Sequence, residues 1–347
     1  MEAAEAANED EWDLPTPNPA WLAKHHEDVL EPELPIIDPH HHFWKIGDFA
    51  YWLPDYEADI RSGHNIIASI HMECSTKYRT SGPEELRPVG ETEFIYEHTG
   101  AADGVVAAGI VAYANLRAPE QLDRVLDAHI EASHGRLCGI RDMVEVDPDP
   151  ELRDARFDLP KNILDLPGLR QSVRRLGERD LVCDLWVYFH QLEKLAEVAN
   201  TAPGTKIVVN HVGGVLLLKS YRGRREEVIR IWENGMRVLS ACPNVYIKIG
   251  GMGMRWMGFD FHELPKPPSS QDLAAAWGPF ASTVIDLFGA NRCLFESNFP
   301  VDKEVCTYRT LWNAFKRMSA GYSPAERDAL FRRTALDLYK IKLPSQG

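Results

Sequence analysis

Residues 36–44 read IIDPHHHFW, in which a short apolar run leads directly into three consecutive histidines. Short apolar runs of this kind are typical of buried β-strands. Because residues i and i+2 of a strand point to the same face, His40 and His42 are expected to project together. The segment therefore predicts a strand that ends in a pair of imidazoles. Two histidines that merely form structural hydrogen bonds at a strand end are the alternative.

Seven further apolar runs of strand type follow along the chain. The eight runs together occupy residues 34–38, 66–73, 105–112, 137–141, 181–188, 206–211, 245–249 and 292–297. Segments with helical periodicity lie between them, as in residues 119–132, where Leu122, Val125 and Leu126 share one face. Alternating strands and helices predict a parallel sheet covered by helices, and eight strands are the number that closes a TIM-like (β/α)8 barrel.

An open, doubly wound sheet is the competing architecture for this alternation. In that fold a glycine-rich G-x-G-x-x-G turn commonly follows the first strand and binds a nucleotide. No such turn follows residues 34–38 here. The barrel is therefore the preferred fold class.

The composition limits the classes of function. Hydrophobic residues make up 44% of the chain and charged residues 26%, as expected of a globular protein. The formal net charge of −14 disfavours nucleic acid or an anionic membrane as a partner and leaves a small-molecule substrate. The six cysteines form no C-x-x-C pair, and the acidic start lacks a secretion signal. These features predict a cytoplasmic protein.

The first 34 residues differ in composition from the rest. They are rich in Ala, Glu, Pro and Asn, with Trp12 and Trp21 as the main apolar side chains. We expect residues 1–34 to form an N-terminal arm and residues 35–347 to form the barrel. The arm could embrace a second subunit, so a homo-oligomer is a further possibility. The long segments 74–92 and 250–270 follow predicted strands and are expected to form pocket walls.

Three later strands also end in residues whose side chains could bind a metal or transfer a proton. These residues are Glu73, His190 and His211. Since the carboxyl ends of barrel strands meet at one rim, they are expected to lie near His40 and His42. Taken singly, Glu73 would more often be a salt-bridged surface carboxylate, and His190 a residue at the start of the next helix.

Four segments in this order, DPHHHFW, FHQLEKLAEVAN, NHVGG and LFESNFPVD, resemble the amidohydrolase superfamily. The similarity is greatest to the branch that contains sugar lactonases and 2-pyrone-4,6-dicarboxylate lactonase, and it extends from about residue 35 to the end. The resemblance implies a barrel in which His40, His42, His190 and His211 face one pocket. The nitrogen donors of His40 and His42 at the mouth of the barrel predict a divalent metal, with zinc as the first choice, whereas the lactonases of this branch that work without metal leave a metal-free site as the alternative.

The last of these segments departs from the family pattern. The family usually carries a metal-binding, water-activating aspartate where this chain has Asn298. An amide cannot act as a general base, but it can bind a metal or a substrate through its oxygen. Glu73, Glu296 and Asp302 are the candidate bases. Glu73 is preferred, because it is expected to lie at a strand end beside His40 and His42, whereas neighbouring residues of the eighth strand point away from one another.

Four further residues are predicted to contact the substrate: Arg141, Lys248, Trp44 and Tyr188. In the resembling family, an arginine at the position of Arg141 helps to hold a substrate carboxylate, which a guanidinium matches in shape. A structural salt bridge at the barrel rim is the alternative role for Arg141. Lys248 could instead neutralise Glu73 or Asp302.

Hydrolysis of a small cyclic ester is the activity that these features favour. The histidine pair, with or without metal, would polarise the carbonyl, while a carboxylate or His211 activates water. A metal-dependent decarboxylase or hydratase of an aromatic or unsaturated acid is one alternative, although such decarboxylases often carry Glu-x-His in place of His-x-His. A barrel that has lost catalysis and binds a small ligand is the other alternative.

Overall fold

Eight parallel strands form the centre of the molecule. The computed structural model describes residues 16–46, 49–100, 104–152 and 159–343. The strands are β1 (Pro35–His41), β2 (Asn65–Met72), β3 (Gly109–Tyr113), β4 (Leu137–Met143), β5 (Val182–Trp186), β6 (Ile207–Val209), β7 (Val245–Ile249) and β8 (Cys293–Phe295). Each of the eight predicted runs therefore overlaps one strand.

The eight strands pair in the order of the sequence, and the sheet closes on itself. Every pair from β1–β2 to β7–β8 is parallel. Between the last and the first strand, the backbone N–H of His42 donates to the carbonyl of Phe299 at 2.8 Å, and that of Asn298 donates to the carbonyl of His40 at 2.9 Å. The predicted (β/α)8 barrel is therefore confirmed, and the open sheet is wrong.

One long helix follows each strand and covers the outside of the barrel. These are α1 (Leu53–Ile60), α2 (Val89–Thr99), α3 (Pro119–Ala132), α4 (Pro167–Glu178), α5 (Leu192–Thr201), α6 (Arg225–Ser240), α7 (Ser270–Phe288) and α8 (Tyr308–Met318). Shorter helical segments are Pro19–Leu22, His211–Gly214, Pro324–Asp328, Ala329–Arg333 and Thr334–Tyr339, and a small hairpin joins Trp44–Ile46 to Phe49–Tyr51. Single-turn 3-10 helices occupy several of the connecting loops.

Several strands are shorter than the apolar runs that predicted them, because the backbone leaves the extended conformation. The run at 105–112 becomes a strand only from Gly109, since Ala107 has a φ of 50°. The run at 206–211 ends its strand at Val209, and His211 already has a φ of 52°. Positive φ values are incompatible with a β-strand for residues that carry a Cβ.

The interior of the barrel is apolar at the amino ends of the strands and polar towards their carboxyl ends. The apolar layer consists of inward side chains from six strands: Ile37, Ile70, Val111, Val182, Val208 and Leu294. It packs against Leu338 and Tyr339 of the last helical segment. Directly above it, the Nζ of Lys248 lies 2.8 Å from Asp184, whose other oxygen accepts a hydrogen bond from Tyr339. This buried ion pair supports the floor of the site.

The described part of the predicted arm packs against the barrel of the same chain. The indole Nε1 of Trp21 donates to the carbonyl of Leu264 at 2.7 Å, and Lys24 donates to that of Pro265 at 3.1 Å. Trp12 lies outside the described residues. The division of the chain at residue 34 therefore stays a prediction, as does the second subunit. No helix within the described ranges combines the length and the apolar character needed to span a bilayer.

Candidate active site

Polar side chains from several strands converge at the carboxyl end of the barrel. His40 and His42 come from the end of β1, Arg141 from β4, His211 from the turn after β6, and Glu296 from the residue after β8. All five side chains are buried, with at most 3% of their surface exposed. The alternation of side chains along each strand explains why these residues, and not their neighbours, point to the axis.

The two histidines of β1 face each other through their Nε2 atoms. These atoms lie 3.1 Å apart, and the ring planes are inclined by 82°. The Nδ1 of His42 lies 2.8 Å from the carbonyl oxygen of Met72. Because a carbonyl only accepts, this nitrogen must carry the hydrogen, and the Nε2 of neutral His42 carries a lone pair.

Glu296 contacts two imidazoles at once. Its Oε2 lies 2.6 Å from the Nδ1 of His40, and its Oε1 lies 2.8 Å from the Nδ1 of His211. The same Oε1 accepts the backbone N–H of His211 at 3.2 Å. Two glycines leave room for this arrangement: a Cβ on Gly250 would lie 2.4 Å from the Cγ of Glu296, and one on Gly251 would lie 2.4 Å from the Nδ1 of His211.

The three clustered imidazoles are neutral. Burial lowers the pKa of His40 and of His42 well below the usual 6.5, and the charges of Lys248 and Arg141 act in the same direction. Burial also lowers the pKa of His211, although the carboxylate of Glu296 partly opposes this effect. A neutral imidazole can bind a metal or accept a proton, so the cluster is suited to both tasks.

Arg141 lies beside the cluster with part of its guanidinium unused. Its Nη1 donates to the backbone carbonyl of Glu73 at 2.8 Å, and its Cζ lies 6.0 Å from the centre of the Trp186 ring. Within the described residues its buried Nε has no acceptor. A buried donor without a partner is costly, so this N–H is suited to an oxygen of a bound ligand.

Glu73, the preferred base in the sequence analysis, is held away from the imidazoles. Its Oε1 accepts hydrogen bonds from the backbone of Ser75 at 2.8 Å and from the hydroxyl of Tyr78 at 2.7 Å. Burial, reinforced by the charge of Glu91, raises its pKa. Glu296, a candidate base that the sequence analysis ranked below Glu73, lies in the inward register of β8 and contacts the imidazoles instead.

The structure brings His40, His42 and His211 together but leaves His190 apart. The Nε2 of His190 lies 2.8 Å from Asp147, and its ring packs against Phe189. β5 ends at Trp186, and a 3-10 turn then carries His190 to a position where a quarter of its side chain is exposed. The prediction of four imidazoles in one cavity is therefore wrong for His190.

Three other predicted residues have side chains that are bonded to partners outside the imidazole cluster. Asn298 adopts a φ of 53°, and its amide donates to Asp302 at 3.1 Å. Lys248 is paired with Asp184 beneath the cluster, which corrects its predicted contact with substrate. Tyr188 is buried in the core, and its hydroxyl donates to the carbonyl of Leu152, which corrects its predicted role likewise.

Trp44, the last of the predicted substrate contacts, lies next to the cluster. Its ring stacks on His42 with centroids 5.3 Å apart and planes 8° from parallel. The indole Nε1 donates to the carbonyl of Cys74 at 3.2 Å. Trp44 therefore holds the outer face of His42.

An apolar wall beside the cluster combines residues of the segment 250–270, where a pocket wall was expected, with two strand residues that were missed from the sequence. Met143, Trp186 and Met254 pack together, and Trp256 meets Trp186 edge to face at 4.9 Å. Trp186 also touches His211, with ring centroids 5.3 Å apart. The positions of Met143 and Trp186 at the last residues of β4 and β5 were the available signal, because inward residues there line the mouth of a barrel.

Two sets of atoms in the cluster could hold a metal ion. His40, His211 and Glu296 offer nitrogen and carboxylate donors that lie within 4.8 Å of one another. The Nε2 atoms of His40 and His42 form the second set. Their opposite nitrogens face Glu296 and a backbone carbonyl, which is the usual support of metal-binding histidines. The donors fit zinc, which takes imidazole and carboxylate ligands.

Comparison with known proteins identifies the family to which this chain belongs. The model of the amidohydrolase family matches residues 37–341. The chain is 30% identical over 333 residues to the uncharacterised protein y4mH of Sinorhizobium fredii, covering 89% of this chain and 99% of that protein. It is 24% identical over 328 residues to L-fucono-1,5-lactonase of Burkholderia multivorans, covering 90% and 98%. A crystal structure of a Burkholderia multivorans amidohydrolase with bound zinc aligns with a TM-score of 0.68 at 23% identity, covering 88% and 99%.

Proposed function

Because this chain belongs to the amidohydrolase family, and is accordingly a hydrolase, we propose that it opens a small cyclic ester, a lactone. The observation that carries the proposal is the cluster of three neutral imidazoles beside a guanidinium with a free donor. The relatives named L-fucono-1,5-lactonase, at 24% identity, support the same reaction class. The His-x-His pair of β1 is the proposed centre of the site.

His40 and His42 are the residues that would hold a divalent ion, through Nε2 in both cases. When zinc is bound there, it supplies a Lewis acid for the carbonyl oxygen of the ester. The relative whose structure contains zinc supports this choice of ion. The protein's own part is to keep both rings neutral, because a neutral imidazole has a nitrogen that can bind an ion, and burial of the two histidines meets that requirement.

His211 is the proposed general base. Its Nδ1 donates to Glu296, so its Nε2 is free to take a proton from water. As that proton moves to Nε2, the water oxygen adds to the carbonyl carbon. The ring C–O bond then breaks, and the alkoxide oxygen receives a proton, which leaves an open hydroxy acid. A carboxylate that orients a histidine base is a recurring arrangement in hydrolysis.

Arg141 and the apolar wall would orient the substrate. The free Nε–H of Arg141 suits a carboxylate or hydroxyl oxygen, and a charged donor binds such a group more strongly than a neutral one. Trp186, Met143 and Met254 present an apolar surface to the ring of the substrate. A small lactone that carries an oxygen-rich substituent satisfies both features.

Acid release from a panel of lactones, followed with a pH indicator, tests the proposal. We expect turnover by the unaltered protein and its loss in His211→Asn. His98→Ala, which changes an exposed histidine of α2, serves as the matched control and should keep full activity. Carbon dioxide release from carboxylated substrates without lactone turnover would instead favour the decarboxylase. Thermal stabilisation by lactones without turnover would favour a binding protein.

A further inference from the structure

We propose that His71, Cys74 and Glu91 form a second metal site, which takes a zinc-type divalent cation and fastens the segment 74–92 to the barrel. The three residues lie between the end of β2 and the first turn of α2. They are separate from the imidazole cluster, so the second site holds or fails independently of the proposed lactone hydrolysis.

The carboxylate of Glu91 joins the other two side chains. Its Oε1 lies 3.0 Å from the Nε2 of His71 and 3.4 Å from the Sγ of Cys74. All three potential ligand atoms lie within 4.8 Å of one another. Zinc bonds of about 2.0 to 2.3 Å at tetrahedral angles separate the ligand atoms by about 3.3 to 3.6 Å. Small shifts of the three side chains would therefore admit an ion.

The local fold explains why these residues meet. In β2 the residues on either side of His71 enter the barrel interior, so His71 points outward to α2. Two residues separate His71 from Cys74, which is a common spacing for a pair of zinc ligands. Gly90 lets α2 begin close to the loop after β2, since a Cβ there would lie 2.5 Å from the carbonyl oxygen of Lys77. Glu91 is thereby placed beside Cys74, whose backbone N–H donates to Oε1 at 3.0 Å.

The charge of the donors matches a divalent cation. Burial raises the pKa of Glu91 to about 8 and that of the Cys74 thiol well above its usual value, because an apolar environment disfavours their charged forms. A bound dication compensates one thiolate and one carboxylate, and a thiol that binds zinc loses its proton. Imidazole and thiolate ligands favour zinc over magnesium and calcium, which prefer oxygen.

A second carboxylate beside these residues also points to a cation. Glu73 lines the same small pocket as His71 and Glu91. Its buried Oε2 accepts no hydrogen bond within the described ranges, and a buried oxygen without a partner is costly. A cation, bound directly or through a water molecule, would satisfy this oxygen. The pocket extends to the partly exposed Tyr113, so an ion has a path to the site.

The second site should fill after the imidazole cluster. His71 and Cys74 are both hydrogen-bonded to Glu91, and the thiol proton must leave as a metal binds. The neutral imidazoles of the cluster bind an ion without that loss. We therefore expect the isolated protein to hold zinc at the imidazole cluster and to take up a second equivalent when zinc is added in excess.

Cobalt(II), a spectroscopic substitute for zinc, tests the proposal in the full-length protein freed of metal. A thiolate bound to cobalt gives a charge-transfer band in the near ultraviolet, and the metal-binding set of the imidazole cluster contains no thiol. We expect the band to appear on titration with cobalt chloride and to be lost in Cys74→Ser. Cys242→Ser alters another buried thiol and should keep the band. No band in the unaltered protein, or a band that survives Cys74→Ser, would overturn the proposal.

Two further measurements do not depend on the folding of Cys74→Ser. Glu91→Gln removes a charged ligand, so the cobalt affinity read from the band should fall by about tenfold or more, whereas Glu97→Gln, at an exposed position of α2, should leave it unchanged. Equal affinities in these two variants would overturn the proposal. X-ray absorption at the zinc edge of the unaltered protein in excess zinc should show a sulfur neighbour at about 2.3 Å, and only nitrogen and oxygen neighbours would overturn it. Inactivity on every lactone would count only against the proposed function, because these measurements need no substrate.

Discussion

The Nε2 of His40 lies 3.1 Å from the Nε2 of His42, and neither nitrogen has another hydrogen-bond partner within the described residues. Because the Nε2 of His42 can only accept, this hydrogen bond requires a hydrogen on the Nε2 of His40, and a divalent cation bound by both nitrogens would take the place of that hydrogen. We expect protein purified without chelator to contain close to one equivalent of zinc. Elemental analysis by mass spectrometry measures it.

His42→Ala isolates the contribution of one nitrogen. Removing a ligand should lower zinc affinity by more than about tenfold, because a supporting residue alone can account for that much. Competition with a chromophoric chelator measures the affinity. His98→Ala is the control for handling and purity, since that ring is exposed on α2. Equal zinc affinity in both variants would remove His42 from the proposed metal site.

Gly250→Ala should damage both the fold and the site. The added Cβ would lie 2.4 Å from the Cγ and the backbone oxygen of Glu296. Overfilling a packed interior costs about 1 to 3 kcal/mol of unfolding free energy, and displacement of Glu296 should also reduce turnover. Denaturant unfolding measures the first effect. Gly204→Ala is the control, because a Cβ there meets nothing within 4 Å, and it should leave both quantities close to those of the unaltered protein.

Arg141→Lys should separate substrate binding from chemistry. Lysine keeps the charge but loses the planar guanidinium, whose Nη1 holds the carbonyl of Glu73 while Nε remains free. We expect KM to rise by about tenfold or more, as befits one lost charged hydrogen bond, with a smaller fall in kcat. Steady-state kinetics on a lactone that the protein hydrolyses measure both constants. Arg61→Lys, at an exposed position directly after α1, should change neither constant.

The barrel was predictable because its signal is local and repeated. Each strand has only three to eight residues, and each is followed by a helix. Errors occurred where a single backbone angle decides the end of a strand, as at Ala107 and His211, whose positive φ values leave no trace in hydrophobic periodicity.

The site was predictable only in part because convergence depends on register. His40 and His42 follow from the alternation of one strand. The inward direction of Glu296 depends on the count of residues from the start of β8, and the displacement of His190 depends on a turn that begins after Trp186. Neither follows from residue type. The sequence consequently favoured Glu73, whose Oε1 accepts hydrogen bonds from Ser75 and Tyr78.

His129 should make the stability of the fold depend on pH. This imidazole is completely buried between α3 and the barrel, with its Nε2 3.0 Å from the carbonyl of Tyr113 and its Nδ1 2.8 Å from the hydroxyl of Thr92. The carbonyl accepts from Nε2–H, and the hydroxyl donates to Nδ1, so the site holds the neutral ring. Burial lowers the pKa of His129 from 6.5 to about 4.

The sign of the effect follows from where the proton binds. Between about pH 6.5 and pH 4 the unfolded chain binds a proton at His129 and the folded chain does not, so the unfolding free energy falls as the pH is lowered through this window. At about pH 5 the loss from this group is about 2 kcal/mol relative to neutral pH. His129→Gln cannot titrate, so its unfolding free energy should fall by about 2 kcal/mol less over the same interval. Denaturant unfolding of both proteins at the two pH values measures the difference, and equal losses would show that His129 titrates alike in the folded and unfolded chains.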